Sequence, residues 1–410
     1  MNIGLIGLGT IGQAVARVLL ERNFKGLSLV KVADINLKRK RDYIPPLNLL
    51  TDDPYEVLND PNINVIIELI GGIEPAKTYI LKAFEKKKDV VTANKALLSS
   101  HWKEITEYAK ENKRKIAFEA SVAGGIPIIA GITKGLVANK ILSIYGIING
   151  TTNYILTRMF NEKREFSDVL KEAQREGFAE ADPSLDINGD DTLHKLIILS
   201  ALAFGRIAKE KSIYKEGISK ITISDLIYAD ELGFRIKLLG ISKLEDEALQ
   251  IRVHPVMIPN EHLLAGVSYN YNGIYVVSDL TGPLLFTGKG AGGSPTSSAV
   301  IADLFSILRK ECMDIPDVCE CIPSPIVNLS LKSYIRFMVA DKPGVLALIS
   351  GILAKYKISI ESCIQKERGK IVPVVMVTHE ACEGDVSSAI AEIKKEPAIK
   401  DIVRIRIEEL

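Results

Sequence analysis

The sequence predicts an α/β protein of two to three domains. A doubly wound parallel sheet comes first, then a second, mixed α/β domain, then a small ferredoxin-like βαββαβ module at the C-terminus. Three observations carry this expectation. Short apolar runs alternate with amphipathic helical stretches over the first third of the chain, as in a parallel sheet covered on both faces. The pattern changes near residue 134, where longer helices mix with β-rich runs. Finally, "CIPSPIVN" reads as a linker, and the strand–helix–strand–strand–helix–strand order beyond it fills a stretch of independent-domain size.

In order, the expected strands of the first domain are "NIGLIG" (2–7), "LSLVKVAD" (27–34), "NVIIELI" (64–70), "DVVTA" (89–93) and "KIAFEA" (115–120). Helical patterns such as "QAVARVLLERN" and "EPAKTYILKAFEKKK" separate them. Right-handed crossovers then wind the sheet on both faces in the Rossmann manner. The expected boundaries are 1–133 for this domain, with 301–322 returning to it, 134–300 for the second domain, 323–329 for the linker and 330–410 for the terminal module. In that module "KSYIRFMVA" and "KIVPVVMVT" are strands, "GDVSSAIAEIKKEP" is a helix and "IVRIRIEEL" the last strand.

Composition excludes several classes. A chain of 410 residues is too long for one ordinary core, and 47% hydrophobic with 25% charged residues describes a globular protein. A net charge of +1 offers no basic surface for nucleic acid or acidic membrane. No apolar run approaches the roughly 20 residues of a membrane span. The start "MNIGLIGLGTIG" lacks the features of a signal peptide, so a cytoplasmic location is expected. Five cysteines form no disulfide framework. Cys319 and Cys321, with Cys312 near, lack the second pair a zinc site needs, and free thiols are expected.

"GLGTIG" follows the first strand and opens a helix. Gly7 allows the tight turn, Gly9 lets the backbone approach a pyrophosphate, and Gly12 lets helix and strand pack closely. Thr10 and Ile11 complete the loop, whose free N–H groups face the phosphates. Asp34 ends the next strand about 20 residues on, the place of a ribose-binding acid. This points to NAD, although Lys38, Arg39, Lys40 and Arg41 follow and could serve a 2′-phosphate of NADP. A solvated loop is the plainer reading of that basic run.

"AEADPSLDINGDDTLHKL" concentrates Glu180, Asp182, Asp186, Asp190 and Asp191 ahead of Lys195. If "GDDTLHKL" begins a helix, Asp190 is an N-cap candidate, and Asp191 and Lys195 share a face at i, i+4. An exposed pair of this kind is worth only about 0.3–0.5 kcal/mol, so spacing alone favours a surface salt bridge. His194 points to a different azimuth and is expected to be structural. Lys95, after the strand "DVVTA", sits where ligands bind in doubly wound sheets. A cation at a helix N-terminus opposes the macrodipole and so asks for a reason.

Several blocks together resemble homoserine dehydrogenase: "ELIGGIEPA", "VVTANKALLS", "FEASVAGGIPII", "GIINGTTNYILT", "AQREGFAEADPSLDINGDDTLHKLIILSALAFG" and "GKGAGGSPTSSAV". The resemblance runs from residue 1 to about 322, and "DKPGVLA" beyond it resembles an ACT regulatory domain. It implies reversible NAD(P)H-dependent reduction of L-aspartate 4-semialdehyde to L-homoserine, on the route to threonine, methionine and isoleucine. It also implies a homodimer or higher homo-oligomer built through the second, catalytic domain. Carried over by position, Lys95, Asp191 and Lys195 take part in catalysis, either lysine being the acid. Glu180, Asp186, Gly150 and Thr151 hold the substrate. Thr92, Asn94, Lys95, Gly288 and Gly290 join Gly7, Gly9, Thr10, Ile11, Gly12 and Asp34 at the cofactor. A sodium ion is implied on main-chain oxygens of Glu119, Val122, Gly124 and Ile126. An amino-acid effector, threonine as the end product, is implied at Asp341, Pro343, Gly344 and Val345.

The chain departs from many relatives at Lys289, where they carry arginine. At Ile35, NADP-dependent relatives often carry arginine, and its absence supports NAD. Two other readings stay open at this point: an ACT-type amino-acid sensor without catalysis, and a dehydrogenase for another small amino acid.

Overall fold

The computed structural model describes residues 1–312 and 314–410. The chain divides into two compact units: Met1–Gly150 with Asp191–Glu210 and Asn270–Ile322, and Thr151–Asp190 with Lys211–Tyr269 and Pro323–Leu410.

The first unit is built on six parallel strands: β1 (Asn2–Ile6), β2 (Ser28–Ala33), β3 (Leu50–Thr51), β4 (Val65–Glu68), β5 (Asp89–Thr92) and β6 (Ile116–Ala117). Their order is β3-β2-β1-β4-β5-β6, the doubly wound arrangement whose chain reversal lies between β1 and β4. Two strands differ from expectation. β3 is a two-residue edge strand beside β2, too short to show any alternation. β6 stops at Ala117, because Glu119 bends the chain into a turn at Glu119–Ser121. Its carboxylate then accepts the main-chain N–H groups of Ile129 and Ala130 at 2.8 Å each.

The return to this sheet begins earlier than residue 301. Helix Gly293–Leu308 starts against the first helix, where a side chain on Gly293 would meet Ala14 and Thr10. Ala299, Val300, Leu304 and Ile307 are buried in one core with Ile3, Leu5, Val15 and Val32. The unit also contains an antiparallel sheet of Ile141–Ile147, Tyr271–Ser278 and Gly282–Lys289.

In the second unit, an antiparallel ribbon of Phe234–Glu245 and Ala248–Pro259 runs in unbroken register. The terminal module has its βαββαβ order: Ser330–Ala340, Val345–Lys355, Ile360–Ile364, Ile371–Thr378, Glu383–Ile393 and Ile399–Ile407. Its own core includes Ile335, Phe337, Ile349, Val374, Val386 and Ile393. It is not detached, however. The last strand pairs parallel with the ribbon, Val256 opposite Arg406 and Met257 opposite Ile407. The expected linker contributes a short turn, Ile326–Asn328, and the main-chain N–H of Ser324 reaches Leu249 O at 2.8 Å.

Candidate active site

The three glycines of the loop meet different surroundings. Gly7 has φ +101°, and a Cβ there would lie 2.7 Å from the Leu69 carbonyl. A Cβ on Gly12 would lie 2.0 Å from the Gly7 carbonyl oxygen. Gly9 faces open space within 4 Å, and no side chain caps the helix Thr10–Arg22 that starts beyond it. The N–H groups of that first turn are thus left for an anion.

Asp34 follows β2. Its Oδ2 accepts the Leu8 N–H at 2.8 Å, and its Oδ1 accepts the Asn36 N–H at 2.9 Å and Arg41 Nη2 at 2.9 Å. Burial would raise this carboxyl, but these donors outweigh it and hold it below the ordinary aspartate value. Arg41 does not belong to a solvated loop. Its side chain is 2% exposed and also donates to the carbonyls of Leu8, Asn36, Leu37 and Arg39. A planar guanidinium can saturate that many acceptors, which is why it is drawn in while Lys38, Arg39 and Lys40 remain exposed.

At the carboxyl end of β4, the buried Glu68 accepts the N–H groups of Ile70 (2.8 Å) and Gly71 (3.3 Å) and the Thr92 hydroxyl (2.6 Å). Thr92 Oγ1 in turn accepts the Asn94 N–H at 3.0 Å, and Asn94 donates to Gly72 O at 2.6 Å. Asn94 also caps helix Lys95–Glu111 through the Leu97 N–H. These groups tie the loops after β4 and β5 together at the start of the helix that Lys95 opens. Sequence reasoning passed over Glu68; an acid ending an all-apolar strand was the available signal.

Lys95, Asp191 and Lys195 come together. Lys195 Nζ donates to Asp191 Oδ2 at 2.7 Å and to the Ile148 carbonyl at 2.7 Å. Lys95 Nζ lies 3.2 Å from Asp191 Oδ1, and Asn149 Nδ2 donates to Asp191 Oδ2 at 2.9 Å. The pair is no surface salt bridge, since the side chains of Asp191 and Lys195 are 11% and 10% exposed; that of Lys95 is 38%. Burial alone would raise the Asp191 carboxyl. Lys195 and Lys95 overcome it and hold the group well below the carboxylate range. Asp191 also answers the question of Lys95: an anion from another helix offsets a cation placed at a helix start.

Asp190 is not a free capping residue. It is the first residue of helix Asp190–Phe204, and its carboxylate takes Lys215. His194 is 3.5 Å from Glu210. Glu180, Asp186 and Thr151 belong to the second unit. There Thr151 donates to Phe178 O at 3.0 Å, and Gln174 holds the Glu180 and Ala181 carbonyls at 3.1 Å each, which shapes the acidic loop. Gly150 opens helix Gly150–Glu162.

The loop of Glu119, Val122, Gly124 and Ile126 turns through two left-handed residues, Ala123 (φ +54°) and Gly124 (φ +55°). It packs on the later glycine loop: a Cβ on Gly124 would lie 2.5 Å from the Gly290 carbonyl oxygen, and one on Gly288 would press on Ile126. Among the described residues no cluster of His, Cys, Asp or Glu has metal-binding geometry. In the terminal module, Gly344 (φ +89°) turns the chain into helix Val345–Lys355, and Asp341 lies 3.5 Å from Gln365.

Family models match along the chain: the homoserine dehydrogenase NAD-binding domain over residues 7–119, homoserine dehydrogenase over 127–305 and the ACT domain over 333–398. The homoserine dehydrogenase of Pseudomonas aeruginosa is 42% identical over 431 residues, covering 100% of this chain and 99% of the relative. That of Synechocystis sp. is 40% identical and covers 98% of both. The crystal structure of a homoserine dehydrogenase from Thiobacillus denitrificans aligns with a TM-score of 0.94 at 41% identity, covering 100% of this chain and 98% of that one. A hyperthermophilic archaeal homoserine dehydrogenase in complex with NADPH aligns with a TM-score of 0.65 at 26% identity, over 75% of this chain and 98% of that one. On these matches, which span its full length, the chain belongs to the homoserine dehydrogenase family, NAD-binding-domain oxidoreductases acting on a CH–OH group, and carries a C-terminal ACT domain.

Proposed function

We propose that Lys95, Asp191 and Lys195 carry the proton side of the family's reaction, the reversible reduction of L-aspartate 4-semialdehyde to L-homoserine. The observation that carries this reading is one buried carboxylate bridging two ammonium groups. The nicotinamide, when bound, supplies or accepts the hydride. The carbonyl oxygen then requires a proton. Lys95 is the donor, because its side chain is 38% exposed and can be reprotonated from solvent. Lys195, pinned by the Ile148 carbonyl and Asp191, polarises and orients. Glu180 and Asp186 take the substrate ammonium, and Gly150 and Thr151 its carboxylate.

The cofactor is NAD on this reading. Asp34 keeps accepting capacity on Oδ2 for a ribose hydroxyl, and Arg41 is already committed to it and to four carbonyls. Thr92 and Asn94 shape the cofactor side through their loop, and Gly288 and Gly290 by close backbone approach. A sodium ion would suit the main-chain oxygens at 119, 122, 124 and 126, a neutral donor set on a tightly turned loop. The turn at Asp341, Pro343, Gly344 and Val345 would take an amino-acid effector such as threonine, and the active assembly would be a homodimer or larger.

Chemical rescue separates the two lysines. Lys95→Ala should lose at least about 100-fold in kcat for homoserine oxidation and regain part of it with added methylamine, since its site opens to solvent. Lys195→Ala should lose as much and regain nothing. Rescue of Lys195→Ala alone would reverse the assignment.

A further inference from the structure

The last strand of the ACT domain carries Arg404 and Arg406 on one face. Their side chains are 10% and 5% exposed. Both reach a single buried carboxylate, Glu383, in the first turn of helix Glu383–Ile393: Arg406 Nε at 2.9 Å, and Arg404 through Nη2. Arg406 is held further by Glu216 Oε2 (3.1 Å) and the Tyr214 hydroxyl (3.1 Å), and its guanidinium lies 4.7 Å from the Tyr214 ring centroid. Arg404 otherwise meets only Ser387 Oγ, at 3.4 Å, among the described residues.

A cavity of ≈ 260 Å³ opens beside this cluster. Its lining combines the charged Arg404, Arg406, Lys220 and Glu216 with the aliphatic Ile221, Ile390 and Ile402. With Glu383, the cluster sets three cations against two carboxylates. Burial, and then Arg406, push the Arg404 guanidinium below its ordinary value against the opposing pull of Glu383. Glu216 Oε2 accepts from Arg406 and from the Tyr214 hydroxyl, which leaves Oε1 for another donor. The surroundings therefore ask for one carboxylate, offer one acceptor to an ammonium, and include aliphatic side chains. A phosphate would satisfy the cations but would meet Glu216 and the isoleucines.

We propose that this cavity binds a free aliphatic α-amino acid, its carboxylate on Arg404 and Lys220, its ammonium on Glu216, and its side chain against Ile221, Ile390 and Ile402. None of these residues belongs to the turn at Asp341–Val345, so the site is additional to an effector bound there.

Isothermal titration calorimetry of the full chain with L-isoleucine tests this. Saturable binding is expected. It should weaken on the order of tenfold or more in Lys220→Glu, which reverses one charge at the carboxylate, and in Ile390→Trp, which adds bulk among the aliphatic side chains. L-isoleucinamide, which lacks the carboxylate, should bind at least as poorly, and Asp341→Ala should bind L-isoleucine as the wild type does. Lys220 is exposed, so Lys220→Glu remains readable even if Ile390→Trp misfolds. Absence of binding by the wild type, binding unchanged in Lys220→Glu, or binding lost in Asp341→Ala would each overturn the proposal.

Discussion

Asp191 is a carboxylate enclosed by Lys195, Lys95 and Asn149 and almost cut off from water. Its folded-state pKa is depressed below the unfolded value. Such a group stabilises the fold fully above its unfolded pKa, near 4, and loses that contribution as pH falls through the folded value. Asp191→Asn should therefore flatten the acid limb of stability against pH. At neutral pH it should cost about 3 kcal/mol, because Lys195 is left buried without its counter-ion. Chemical denaturation from pH 7 downward measures both effects, and an unchanged acid limb would contradict the assigned electrostatics. Sequence gave part of this site. The i, i+4 spacing puts Asp191 and Lys195 on one face, but Lys95 and Asn149 join them from distant segments that spacing cannot bring together. Arg41 was unreadable for a different reason: most of its partners are main-chain carbonyls, which every residue has.

At the scale of elements, the glycine loop yields a contrast between two small changes. Gly12→Ala forces a methyl to within 2.0 Å of the Gly7 carbonyl, so the first helix must shift off β1. Gly9→Ala places its methyl in open space, where only a bound pyrophosphate would meet it. Gly12→Ala should lower the melting temperature by several degrees, whereas Gly9→Ala should leave it near native and raise KM for the dinucleotide by about tenfold or more. Thermal melts alongside cofactor titrations decide this, and equal destabilisation of both variants would refute it. The expected β1, β2, β4 and β5 correspond to observed strands within a few residues, because buried parallel strands read as unbroken apolar runs. β3, at two residues, has no period to detect, and β6 ends where the Glu119 side chain diverts the chain.

Across the larger assembly of the second unit, the ACT domain is docked by charges the sequence does not reveal as partners. Asp225, on helix Ile223–Glu231, accepts Arg336 Nε at 2.7 Å and the Tyr334 hydroxyl at 3.0 Å. Arg252 of the ribbon meets Glu408 beyond the last strand. Pattern reading finds the module but not its attachment, since strand pairing between distant segments depends on register. The same unit buries Lys237, 3% exposed, which donates to Val267 O (2.6 Å) and Asn153 Oδ1 (3.1 Å). Burial, and then Arg235, lower its ammonium to about 7. The unfolded chain then binds the extra proton between pH 7 and about 10.4, so stability should rise with pH across that window. Lys237→Met should remove that rise in the melting temperature between pH 7 and 9. A variant that retains the wild-type slope would show that Lys237 is charged throughout.

The proposed function has this chain oxidise homoserine with NAD through a carboxylate-bridged lysine pair. Its most direct test is steady-state homoserine oxidation by the purified full chain, with NAD and NADP side by side, for the wild type and Lys195→Ala. Wild-type turnover is expected with a higher kcat/KM for NAD, together with at least about a 100-fold loss in Lys195→Ala at a temperature where that protein, destabilised by the loss of a buried ion-pair partner, is still fully folded. Undiminished turnover in Lys195→Ala, or a wild type that is folded yet inactive with both cofactors, would contradict it.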